Sequence, residues 1–151
     1  MVPLASIVAA LNLDTVAIAP KGERVAVIGS GPAALDRLVE ETVREQGRAL
    51  DTDGEADAFL ERQDGWALAQ HGVPSLMVGA SFSDMGRLQG FLGGAYHKAA
   101  DNPGPGVMLD GAAEDAELLI ALGRKLADPT LYPRPDAPAE ATTFQTHPTR
   151  Q

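Results

Sequence analysis

The chain reads as an α/β domain with a mixed, mostly parallel sheet flanked by helices. Three observations predict it. Short runs rich in Val, Ile and Leu recur at residues 6–13, 24–28 and 74–79, each brief enough for a buried strand. Two longer segments, 32–46 and 110–127, repeat their apolar residues at helical spacing. Glycine and proline sit where a chain passes from strand to helix and back.

Each element has its own signals. The run at 6–13 (SIVAALNL) ends at Asp14, a charge that a core strand carries only at its end. The second run (RVAVI) meets Gly29-Ser30-Gly31-Pro32, which turns it into a helix stopped by Gly47. Leu35, Leu38, Val39 and Val43 form that helix's apolar face, and Glu40-Glu41 lies outside it. Residues 51–57 are acidic and turn-like, and a short helix over 66–71 with Asp64 as its N-cap ends at Gly72. The third run (PSLMVG) leads into residues 80–105, which read as a long glycine-rich loop. Asp110 then caps a helix whose stripe is Leu118, Leu119, Leu122 and Leu126. Residues 1–130 form one folded unit, and 131–151 a Pro/Thr-rich mobile tail.

Composition excludes several classes. The chain's 151 residues are 44% hydrophobic, enough to bury a core, and the net charge of −9 argues against nucleic acid or an anionic membrane as partner. No cysteine is present, so thiolate metal sites and disulfides are excluded. The start lacks a basic region and a small-residue cleavage site, and no apolar stretch approaches the roughly 20 residues that span a bilayer. The chain is expected to be soluble, without a signal peptide and without membrane insertion.

Two functional readings compete. Residues 25–35 (VAVIGSGPAAL) match strand, G-x-G-x-x-A and helix, with Asp51 about 20 residues past the turn to hold a ribose. In that reading Gly29 and Gly31 let the backbone approach the pyrophosphate of a dinucleotide such as NAD or FAD. Against it, an apolar strand and a carboxylate precede the supposed first strand, and no second series of βαβ units follows.

The second reading rests on three elements in order. Residues 11–14 (LNLD), 62–76 (RQDGWALAQHGVPSL) and 96–101 (YHKAAD) carry it. They resemble the N-L-D, R-S-D-H-x-x-F-x-x-x-G-I-P-x-L and Y-H-T-x-x-D elements of the co-catalytic two-zinc aminopeptidase family, which includes bacterial leucyl aminopeptidases, aminopeptidase Y and glutamate carboxypeptidase relatives. The resemblance implies a zinc-exopeptidase-like fold and hydrolysis of an N-terminal peptide bond by metal-activated water. It implies Asp14 as ligand of one zinc and His97 of the other, with a peptide as substrate. Tyr96 would donate to the oxyanion, while Asp64 and Asp101 would support the site from behind the ligands. Carboxylate and imidazole are donors that Zn²⁺ accepts, and two metals lower the pKa of a shared water.

The chain also departs from the pattern. The family's His-x-Asp and catalytic Glu-Glu elements precede N-L-D, but residues 1–13 contain no His, Asp or Glu. Gln63 and Gly65 replace the family's serine and histidine. The expectation is therefore the C-terminal part of such an enzyme, incomplete at the N-terminus and inactive alone. Its partners would be a missing N-terminal half or, through exposed apolar surface, another copy of itself. Truncation, a split protein and a non-catalytic interaction domain on the peptidase fold all remain open. Family members are frequently exported, which implies a periplasmic or secreted parent.

Overall fold

The structure, a computed structural model, describes residues 2–104 and 106–133, with the backbone alone at residue 30. A 3₁₀ turn over Leu4–Ser6 leads into β1 (Ala10–Asn12), and β2 (Ala26–Ser30) is followed by α1 (Ala33–Glu45). A 3₁₀ segment over Glu55–Arg62, α2 (Gly65–Ala69) and β3 (Ser75–Gly79) come next. The described part closes with a 3₁₀ turn over Ala80–Phe82, α3 (Met85–Gly93) and α4 (Leu109–Leu126).

The sheet has three strands in the order β1-β3-β2. β1 runs parallel to β3, with Leu11 opposite Leu76, whereas β2 runs antiparallel to it, with Ile28 opposite Met77. The sheet is thus mixed, with one pair of each kind rather than mostly parallel. β1 is also shorter than the apolar run that predicts it, because Ser6 closes a 3₁₀ turn onto the carbonyl of Pro3.

Strand alternation divides the apolar residues between two faces. Val25, Leu76 and Val78 pack with Leu35, Leu38, Val39 and Val43 of α1 and with Leu118, Leu119, Leu122 and Leu126 of α4. Ala26, Ile28 and Met77 face the other way, onto Ala56, Phe82 and Leu88. There Phe59 meets Phe82 edge-on, with ring centroids 5.3 Å apart. Each fully buried leucine contributes about 1.5–3 kcal/mol relative to exposure. Tyr132 is 3% exposed and belongs to the first cluster, so the packed unit reaches past the expected boundary at residue 130. Residues 134–151, most of the expected tail, lie outside the described residues.

Three further expectations are corrected. Residues 80–105 are not one loop: α3 lies within them, and the Asp84 carboxylate accepts from the Arg87 amide at 2.9 Å to cap it. Gly86, Gly90 and Gly93 weaken the helical signal, and burial of Leu88 supplies what propensity lacks. The acidic turn at 51–57 passes into the 3₁₀ segment. α4 begins one residue before Asp110, which sits in its first turn and accepts from the Gly111 amide rather than capping.

The end of α1 has a consequence for the whole domain. Gly47 takes φ 71°, and the Arg48 and Gly47 amides donate to the carbonyls of Val43 and Arg44 at 3.1 and 2.9 Å. This pair of bonds is a Schellman motif. It reverses the chain and sends the Arg48 side chain, 3% exposed, into the interior. Arg48 Nη1 donates to Asp115 Oδ1 at 2.8 Å, Nη2 donates to the Glu23 carbonyl at 3.2 Å, and Nε lies 3.5 Å from Glu114 Oε2. The other Asp115 oxygen accepts from the Ala80 amide at 2.8 Å, and Glu114 accepts from the Gly22 amide at the same distance. α4 is thereby fixed to the end of β3 and to the connection between β1 and β2.

Asp51 follows a one-residue bridge between Leu50 and Val25, and its side chain is 3% exposed. Burial, then the neighbouring Asp53, raises its pKa against the lowering effect of Arg24, whose Nη1 stands 3.7 Å away. A carboxyl whose folded pKa is raised destabilises the fold above that value, and the penalty disappears below the unfolded value. Asp51→Asn should therefore raise the thermal midpoint at pH 7, with the gain shrinking as pH falls towards 4. A pH series of melting curves on both proteins measures it.

Candidate functional site

Of the two residues singled out as metal ligands, Asp14 lies just beyond a strand and His97 in the loop after α3. Asp14 is exposed, two residues beyond the carboxyl end of β1, and β3 ends beside it in parallel register. His97 follows α3, which itself leaves the carboxyl end of β3 through Ala80–Phe82. In open α/β sheets this edge is where ligands bind.

Backbone strain marks both places. Among the described residues the only non-glycine residues with positive φ are Thr15, at 52°, and His97, at 57°. For a β-branched residue such as threonine this conformation is an outlier, and for any L-residue it costs roughly 1–2 kcal/mol. Strain of this kind collects at functional sites because the surrounding structure must hold it. The Thr15 hydroxyl donates to Asp14 Oδ1 at 2.9 Å, which fixes one carboxylate oxygen.

The His97 ring is exposed and stacks on Tyr96, with centroids 3.8 Å apart and planes 20° from parallel. Tyr96 rests in turn on Phe91 at 5.4 Å, so α3 carries the stack. Lys98 Nζ donates to the Gly93 carbonyl at 3.1 Å and closes the loop behind it. Asp101 is exposed, and its amide closes a turn onto the Lys98 carbonyl. No hydrogen bond joins Asp101 to the His97 ring among the described residues, so the ring is oriented by the aromatic stack and not by that carboxylate.

Asp64 occupies the N-cap position of α2, but its side chain makes no capping bond. The capping oxygen belongs to Gln63 instead, whose Oε1 accepts from the Gly65 amide at 2.9 Å. Sequence reasoning missed Gln63. A 5% exposed glutamine beside a glycine was the available signal, and it shows only once the packing is known.

The glycine motif has a packing role. Gly29 lies inside β2 at φ 104°, and a Cβ there would collide with the Ser75 carbonyl oxygen of β3. A Cβ at Gly31 would come within 2.6 Å of Leu35 Cδ2. Both glycines permit close approach between elements of the protein. A dinucleotide fold needs this strand within a parallel sheet, whereas β2 is antiparallel to its neighbour, and Asp51 is buried against Arg24 instead of open to a ribose.

Asp14 and His97 supply donor atoms of the kinds that zinc takes. A catalytic zinc, however, uses three protein ligands, and among the described residues no three His, Cys, Asp or Glu side chains cluster to hold a metal. The described residues alone therefore do not fit a zinc pair.

These features describe a small α/β domain with a mixed sheet flanked by helices. A model of Peptidase family M28 matches residues 2–120, most of the chain, and the chain belongs to that family of zinc-dependent peptidases. No curated protein and no solved structure matches it. No described helix is long and apolar enough to cross a membrane.

His97→Gly should remove backbone strain and raise stability by about 1 kcal/mol, a few degrees in thermal midpoint for a chain of this size. Calorimetry of the variant against the parent tests this. A lower midpoint would mean that the stack on Tyr96 outweighs the strain.

Proposed function

We propose that this chain contributes to an aminopeptidase-type site that hydrolyses the N-terminal peptide bond of its substrate. Asp14 and His97 are the metal-ligating side chains it brings, and Tyr96, next to His97 in the chain, is the donor to the oxyanion. The observation that carries the reading is the coincidence of backbone strain with those two ligand positions, Thr15 beside Asp14 and His97 itself. Membership of the peptidase family supports it. The reading requires ligands in addition to these two, since each metal needs three.

The surroundings of Asp14 bear on substrate. Leu13 and Val16 are 55% and 40% exposed, and the Met108 amide donates to the Ala17 carbonyl at 2.8 Å. That bond brings Met108 and Leu109, 38% and 72% exposed, to the same connection. Exposed apolar side chains on and beside the connection that carries Asp14 suit an apolar substrate side chain.

Cobalt(II) serves as an optical stand-in for zinc. Its binding should weaken on the order of tenfold or more in Asp14→Ala and in His97→Ala, and remain unchanged in Gly31→Val. Binding indifferent to both ligand substitutions contradicts the reading. Tight binding of NAD or FAD, lost in Gly31→Val, would replace it with the dinucleotide reading.

A further inference from the structure

The two edges of the sheet are finished differently. At the β2 edge the chain folds back: the Val25 amide donates to the Ala49 carbonyl at 2.9 Å, and the Asp51 amide to the Val25 carbonyl at 2.8 Å. The 3₁₀ segment Glu55–Arg62 also packs against β2. β1 has no such cover, and its residues are half-buried where those of β3 from Ser75 to Val78 are buried. The Ala10 amide donates inward, to the Pro74 carbonyl at 2.8 Å, so strand alternation turns the amide and carbonyl of Leu11 outward. Ala9 and Leu13 flank Leu11 in the same phase. Among the described residues no hydrogen bond reaches the amides of Ala9, Leu11 or Leu13.

Sheets ordinarily protect such an edge with charge, proline or a bulge. Residues 4–13 contain neither a charged side chain nor proline, and β1 keeps register with β3 without a bulge. Charge selects the occupant. The chain has a net charge of −9, so two copies repel over most of their surface, yet residues 2–13 carry no charge at all. A second copy laid antiparallel, with Leu11 opposite Leu11, brings uncharged residues together. Each Leu11 then exchanges both of its outward bonds with its counterpart. Leu13, 55% exposed, comes to lie beside Ala9 of the second copy. The two Asp14 carboxylates stay about 20 Å apart along the strands. A parallel pairing in register would set them side by side.

We propose that β1 is a self-association edge, through which two copies of this chain join antiparallel over residues 9–13 into one continuous sheet. The contact is two-fold and closes at a dimer, because each copy has one such edge. Neither Asp14 nor His97 takes part in the pairing, so loss of cobalt binding leaves it untouched.

Sedimentation across a micromolar concentration series should show a monomer–dimer equilibrium. Amide exchange at both ends of that series locates the contact. The amides of Ala9, Leu11 and Leu13 should slow by about tenfold or more as the dimer forms, while Asn12, which faces β3, changes little. Ala9→Pro removes an outward donor that the β1–β3 pairing does not use, and edge strands accept proline at such a position. It should weaken dimerisation about tenfold or more while the monomer stays folded. A chain monomeric throughout the series overturns the proposal, as does a dimer whose protection falls elsewhere. Assemblies that grow beyond two copies, or undiminished association of a folded Ala9→Pro, overturn it as well. Should Ala9→Pro fail to fold, exchange in the parent chain decides alone.

Discussion

The buried ion pair between Arg48 and Asp115 is the constraint on which the rest of this structure depends. Both side chains are almost wholly withdrawn from water, at 3% and 4% exposure. Removing one partner of such a pair typically costs about 3–5 kcal/mol. Backbone groups satisfy much of the rest: the Ala80 amide at the end of β3 donates to Asp115 and the Glu23 carbonyl before β2 accepts from Arg48. Arg48 Nε makes no hydrogen bond but stands 3.5 Å from Glu114, which joins Gly22 beside it. One pair therefore binds together α4, the turn after α1 and both chain segments that leave the carboxyl edge of the sheet. Gly79 and Gly111 permit the close approach: a Cβ at the first would stand 3.0 Å from Asp115 Oδ2, and at the second would collide with the Ala19 carbonyl oxygen.

Strain at Thr15 and His97 becomes intelligible against that anchor. A threonine at positive φ relaxes unless its flanks are held. The connection after β1 is held at Ala17 by Met108, at Ala19 by the contact with Gly111 and at Gly22 by Glu114. The N-terminal half of α4 and Met108 just before it supply these restraints. His97 is held by its stack on Tyr96 and Phe91, whose helix begins just beyond the pinned Ala80. Stability drawn from the core is thus used to maintain two unfavourable backbone conformations at the positions where the peptidase reading needs ligands.

Much of this was legible in the sequence. Helical spacing found α1 and α4 within a residue or two, since Leu35, Leu38, Leu118 and Leu122 mark faces that had to be buried. The third strand and the family elements were also readable from residues in order. Three things were not. Strand direction has no local signature, so the antiparallel β2 could be read as the opening of a dinucleotide fold. Gly29 looks the same whether it admits a phosphate or the Ser75 carbonyl. Finally, α3 hid behind glycines, because its stability comes from tertiary contact of Leu88 and not from local propensity. Of the site, Asp14 and His97 were named from resemblance, while the restraints that hold them join residues tens of positions apart.

The most direct test of the account is amide hydrogen exchange in Asp115→Asn. That side chain keeps one acceptor where two are used, so it cannot serve both Arg48 and Ala80. The account predicts that the amides of Gly22, Ala80 and Met108 exchange faster on the order of tenfold or more, while Val43 within the α1 core changes little. Exchange that rises uniformly, or not at all, would show that the ion pair does not hold the carboxyl edge in place.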